Sequence, residues 1–227
     1  MSHLRRCLAG VLFAALGPGM SLVSPAASAH EPSHGGLSHH ARIVPADRAD
    51  GRTGSQLLAQ IWTHIYQIHT SEPQPNCHYA GRTGHVLVAG SADEVCTVER
   101  GYPVMYFFGA TCDPISDPPY YAVTAPDQRR CARDVDRSFI VGMHLRVDGG
   151  PDVNLRTPCF ELFTGQRSVV VPVDNVFGAP PGPTTFVAHA WAAFVEHLSL
   201  GKHTTVLTTD FSDGGRNVER RTFRVVR

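Results

Sequence analysis

From Thr185 to Val195 the chain alternates strictly. Phe186, Ala188, Ala190, Ala192 and Phe194 fall on one side; Val187, His189, Trp191, Ala193 and Val195 fall on the other. A period of two marks an extended strand. Both sides are largely apolar here, which predicts a strand covered on each face rather than one with a wet side.

Shorter runs of the same character surround it. His85–Ala89, Val95–Val98, Val104–Phe108, Ser138–Val147, Val153–Leu155, Cys159–Thr164 and Ser168–Val171 are β-branched or aromatic and separated by Gly, Pro, Ser and Asp, the pattern of strands and turns. His203–Thr209 and Val218–Val226, joined across Ser212-Asp213-Gly214-Gly215-Arg216, read as a closing hairpin. Two segments differ. Leu57, Leu58, Ile61, Trp62, Ile65, Tyr66 and Ile68 recur at three- and four-residue steps behind a capping Thr53 or Ser55, which predicts an amphipathic helix over 54–69. Pro126 to Asp134, with Thr124 as cap, predicts a short, charged surface helix. Helices between the strands, as a parallel α/β fold needs, are missing. The expected fold is mainly β: an antiparallel β-sandwich, Ig-like or jelly-roll-like, with one N-terminal amphipathic helix and one short surface helix.

Ahead of this domain the composition changes. Arg5 and Arg6, the apolar run Cys7–Leu16 and the small residues Ala27-Ser28-Ala29 are arranged as a cleavable export signal over 1–29, too short to span a membrane. Residues 30–52, rich in Ser, Gly, Pro and His, read as a disordered His-rich tail, leaving 53–227 as a single β domain. No other apolar stretch suggests a membrane span in the mature chain. Lys+Arg and Asp+Glu balance at 20 each, which argues against nucleic acid as a partner.

Export makes the cysteines informative. Beyond Cys7 they are Cys77, Cys96, Cys112, Cys131 and Cys159. Sequential bridges Cys77–Cys96 and Cys112–Cys131 would each close a short loop, with Cys159 left as a buried, unpaired thiol, though other connectivities stay open. Zinc is disfavoured because no Cys-x-x-Cys pair occurs.

Several motifs carry a resemblance. They are the Trp-bearing helix Leu57–Ile68, Cys96-Thr97-Val98-Glu99-Arg100-Gly101 with Phe107-Phe108, and Val147-Asp148-Gly149-Gly150. Pro172-Val173-Asp174-Asn175-Val176-Phe177-Gly178 and Leu200-Gly201-Lys202-His203-Thr204 complete the set. In this order the chain resembles a widespread family of uncharacterised secreted bacterial proteins, departing from it at His69 and Gly109, where the family tends to have proline. The resemblance implies export and a compact domain with a disulfide around Cys96; it implies no activity.

Chemistry is sparse. Cleavage after Ala29 would expose His30, whose amine and imidazole together form a bidentate copper ligand, and His189 is the partner to name for it. His34, His39 and His40 would hold Cu²⁺, Ni²⁺ or Zn²⁺ only loosely. Against the copper reading, nothing near His30 would pin the terminus, and a core histidine is the ordinary role for His189. Asp134 and Asp136 read as a solvated helix end. Tyr120 and Tyr121, in a Pro-rich loop, are candidate stacking residues for a ligand. Asp174 and Asn175, in a long loop, are candidate ligand contacts set against an Asx turn. No Gly-x-Ser-x-Gly, His-Glu-x-x-His or phosphate loop is present, so catalysis is left open with the balance against it. The expected function is a secreted, non-catalytic binding or interaction module for an extracytoplasmic ligand, a cell-surface glycan or protein. The expected cofactor is none, with a copper-binding or copper-dependent protein using His30 as the alternative.

Overall fold

The computed structural model describes residues 41–71, 77–89 and 95–227. The export signal predicted at 1–29, and His30, His34, His39 and His40, lie outside the described residues. In chain order the elements are β1 (Arg42–Pro45), β2 (Arg48–Ala49), β3 (Arg52–Thr53), α1 (Gly54–Tyr66), β4 (His78–Ala80), β5 (Val86–Val88) and β6 (Cys96–Glu99). There follow β7 (Val104–Cys112), α2 (Ala125–Phe139), β8 (Ile140–Val147), β9 (Val153–Asn154), β10 (Glu161–Phe163) and β11 (Arg167–Val171). The last three are β12 (Gly182–Glu196), β13 (Gly201–Phe211) and β14 (Arg216–Val226).

The alternating segment is β12, and it organises the first sheet. β7 pairs with it antiparallel from Val187↔Cys112 to Val195↔Val104. β11, β10 and β1 succeed one another along it, opposite residues 182–186, 189–191 and 193–196. β5 and β4 continue the sheet beyond β7. A second sheet has the order β6-β14-β13-β8-β9, and β2 and β3 form a small ribbon.

Both faces of β12 are covered, each by a different layer. Trp191, Ala193 and Val195 share one core with Val104 and Tyr106 of β7 and with Met143, Leu145, Leu207 and Phe223 of the second sheet. Phe186, Ala188, Ala190, Ala192 and Phe194 share another with Leu57, Leu58, Ile61 and Tyr66 of α1. The three alanines leave room for a helix to lie close. α1 starts at a reciprocal cap: Thr53 Oγ1 accepts from Gln56 N–H at 3.2 Å, and Gln56 Oε1 accepts from Thr53 N–H at 2.9 Å. Burying each leucine of that stripe is worth roughly 1.5–3 kcal/mol. Gly109 is required where β7 and β12 come closest, since a Cβ there would sit 2.1 Å from the His189 carbonyl oxygen.

Cys77–Cys96 and Cys112–Cys131 are bonded, with Cα–Cα distances of 5.5 and 6.0 Å. Each bridge spans 19 residues, worth roughly 3 kcal/mol in the chain-entropy view. The second ties α2 to the end of β7.

Five expectations are corrected. Residues 42–52, predicted as part of the tail, contribute to three strands, β1 to β3. Their backbone pairing with β12 and within the β2–β3 ribbon needs no apolar periodicity. β5–β7 and β6–β14 are parallel, not antiparallel; the chain leaves the first sheet after β5, makes β6 in the second and returns as β7, a crossover of the kind parallel pairs need. Helix α2 runs on to Phe139, and α1 stops at Tyr66, after which His69 bridges to Asn175. Cys159 lies in a half-buried turn before β10 and is disulfide-bonded, so it is not the free thiol expected. Asp136 is buried rather than solvated, for the reason given below.

Candidate functional site

A cleft of about 880 Å³ opens where the end of α1, the middle of β7, the end of α2 and two loops meet. Several of its walls are aromatic: Trp62, Phe108, Tyr120, Phe139, Phe177 and Phe211 all contribute. Tyr120, Phe139 and Phe177 are 38%, 47% and 45% exposed, too open for core residues of their size. The indole Nε1–H of Trp62 has no acceptor among the described residues.

Two polar networks back the cleft. Tyr66, the last residue of α1, donates its hydroxyl to Asp113 Oδ2 at 2.5 Å and lies 2.8 Å from Thr111 Oγ1. Asp113 also accepts from the backbone of Ile115 and Ser116 and from Ser116 Oγ. Burial pushes the Tyr66 phenol far above its ordinary value, with the Asp113 hydrogen bond acting in the same direction. The phenol therefore stays protonated and serves as a donor. Its ring stacks between Phe186 and Phe177, at 4.8 and 4.9 Å.

The second network crosses β12. His189 is fully enclosed; its Nδ1 lies 2.6 Å from Asp136 Oδ2 and its Nε2 lies 3.1 Å from Glu161 Oε1. Ala110 N–H donates to Asp136, and Arg137 holds Glu161 at 3.0 Å. Each ring nitrogen thus faces a carboxylate, and Glu161 is in turn paired with Arg137. Burial raises the Asp136 carboxyl above its ordinary value; the His189 hydrogen bond and charge oppose that only in part. Asp136 also lines the cleft. It gets there because α2 buries an i, i+4, i+8 stripe of Gln128, Ala132 and Asp136. Gln128 is satisfied in the same way, donating to Thr185 O at 3.0 Å and accepting from Gln166.

The predicted site residues are dispersed. Tyr120 lines the cleft; Tyr121, 53% exposed, does not. Asp174 is pinned on the surface by Ser71 Oγ at 2.6 Å and His69 Nδ1 at 2.5 Å. Those two bonds hold its carboxyl below the ordinary range, Ser71 contributing most. Asn175 closes its loop: Oδ1 accepts from Phe177 and Ala179 N–H, and Nδ2 donates to the carbonyls of Pro172 and Ala179. The Asx turn is thus its role, and it holds Phe177 in the cleft wall. His189, with both ring nitrogens facing carboxylates, has none to offer copper. Among the described residues no group of three or more His, Cys, Asp or Glu is placed to hold a metal ion.

Sequence reasoning missed Asp136, Phe139, Phe177 and the convergence of the aromatic walls. Two signals were present. An aromatic between Asn175 and Gly178 in a Pro/Gly-rich loop has no core to join, and Asp136 falls in step with Gln128 and Ala132 on one helix face. The arrangement as a whole can bind: it offers ring faces and a few hydroxyl and carboxyl groups whose protons are already committed. No family model, curated protein or solved structure matches the chain, and its function is read from this cleft and the surfaces around it.

Proposed function

We propose that the protein is a non-catalytic, extracytoplasmic binding module, built as a β-sandwich with a helix on its outer side, that takes a glycan segment in the aromatic cleft. The observation that carries this is the cleft itself. Its volume suits a small ligand, and its lining combines aromatic rings with polar side chains such as Ser116, Asp117 and Asp136, a mixture found in binding pockets. Rings with a polar handle suit sugar faces, and Tyr120 presents one at the cleft. The ionisable groups at its walls favour binding over turnover, because the Tyr66 hydroxyl and Asp136 Oδ2 are each held by a neighbouring side chain. Two disulfides fit an oxidising compartment. Among the described residues no helix is long and apolar enough to cross a membrane.

Tryptophan fluorescence tests the reading. The chain has two tryptophans; Trp191 is buried in the core, and Trp62 lines the cleft. Titration with members of a glycan array should change the Trp62 emission for at least one structure, and Phe177→Ala should weaken that response about tenfold, a hot-spot loss. An array without a binder, or binding indifferent to Phe177→Ala and Tyr120→Ala together, would overturn it.

A further inference from the structure

We propose that the outer face of the second sheet is a docking surface for a linear anionic polysaccharide, held by Arg146, Lys202, Arg220 and Arg224. On β8, β13 and β14 alternate residues point inward: Leu145, Leu207, Phe223 and Val225 are buried in the shared core. The residues between them face out, and all four of these cations are exposed. The register fixes their arrangement. Lys202 lies directly opposite Arg224, while Arg220 and Arg146 flank Val206 on its two sides. Thr204 and Thr222, paired with each other, fill the row between, and Thr97 of β6 lies beside Arg224.

This is a costly way to arrange charge. Like charges directly opposite each other destabilise a sheet. Some cations elsewhere are matched, among them Arg216 with Asp210 and Arg221 with Glu219 on the same sheet, and Arg137 with Glu161. Among the described residues no carboxylate lies within ion-pair distance of the four. Acids around this face are committed: Glu99 to His85 at 3.3 Å, Asp152 to His144 at 3.1 Å, and Asp148 to His203 at 2.6 Å and the Thr204 backbone. Since Lys+Arg and Asp+Glu are equal over the whole chain, the patch is local segregation and not a generally basic protein.

The chemistry of the face selects among polyanions. A bilayer surface is gripped by Trp, Phe or Leu beside the cations, and single-stranded nucleic acid by stacked aromatics. The outward side chains among the four cations are threonines and valines. Hydroxyls interleaved with guanidinium groups on a flat sheet fit an extended chain that carries both hydroxyls and carboxylates or sulfates. None of these residues lines the cleft, so the surface stands or falls independently of the ligand proposed there.

The experiment uses the full chain with heparin as the linear anionic polysaccharide, dextran as its neutral counterpart, phosphatidylglycerol-containing vesicles, and a single-stranded oligonucleotide. Heparin should bind at low salt, dextran should not, and added salt should weaken the complex. Lys202→Glu/Arg224→Glu and Arg146→Glu/Arg220→Glu should each weaken heparin at least about tenfold. Arg130→Glu/Arg167→Glu, the same charge change elsewhere, should cost less than about twofold. Should a reversal disturb folding, Lys202→Gln/Arg224→Gln supplies the same readout without new charge. Absence of heparin binding, equal loss in the Arg130/Arg167 control, or tighter binding of vesicles or oligonucleotide would each overturn the proposal.

Discussion

His189 with Asp136 and His69 with Asp174 are the same pair of groups at nearly the same separation, 2.6 and 2.5 Å. Their carboxyls nevertheless shift in opposite directions. Asp136 is buried, and the loss of water outweighs what His189 returns. Asp174 stays wet, and the hydrogen bonds from Ser71 and His69 act almost unopposed. Solvent, not the partner, sets the sign. The buried pair is a structural tie across β12 and α2; the exposed pair pins a loop.

The contrast is broken most severely by His189→Ala, which removes the shared ring partner of Asp136 and Glu161 and leaves them only Ala110 N–H and Arg137 respectively. The expected loss is about 3–5 kcal/mol in urea unfolding. Next comes the covalent tie on the same helix. Cys112→Ser/Cys131→Ser should cost roughly 3 kcal/mol and loosen α2 ahead of the rest in hydrogen exchange. The equivalent truncation at the surface, Asp174→Asn, should barely move the urea midpoint.

pH sharpens the same contrast, with opposite signs. The Asp136 carboxyl is raised in the folded state, so its contribution is fully present below its unfolded value near 3.8 and is lost as pH rises through the folded value. The Asp174 carboxyl is lowered, so its contribution is present above 3.8 and is lost as pH falls through the folded value. Asp136→Asn should therefore flatten the alkaline side of the stability profile above 3.8, and Asp174→Asn, more weakly, the acid side. Identical slopes in the two variants would show that burial does not separate the pairs.

The fold was legible where side chains carry the pattern, and the site was not. Residues 185–195 announce a doubly covered strand because packing demands apolar groups at every position. The Leu57–Tyr66 stripe announces a helix for the same reason. β1 was illegible because it is held chiefly by backbone pairing and adds only Ile43 and Val44 to the two cores, too short an apolar run to show a period. α2 looked like a surface helix because Gln128 and Asp136 are buried through hydrogen bonds instead of apolar contact. The cleft draws Trp62, Phe108, Phe139, Phe177 and Phe211 from five separate elements or loops, and no local period links them. Tyr120 alone was visible as a ligand candidate, from its exposure in a Pro-rich loop.

The crowding of three short strands along β12 also orders events in time. Arg42 pairs with Glu196, so a chain fed forward from its N-terminus makes β1 about 150 residues before the strand it needs. β7, β10 and β11 wait on the same segment. β4, β5 and β7 can pair among themselves beforehand, but β1, β10, β11 and the other edge of β7 remain open until β12 arrives. The first sheet is completed only when residues 182–196 are present to join its strands.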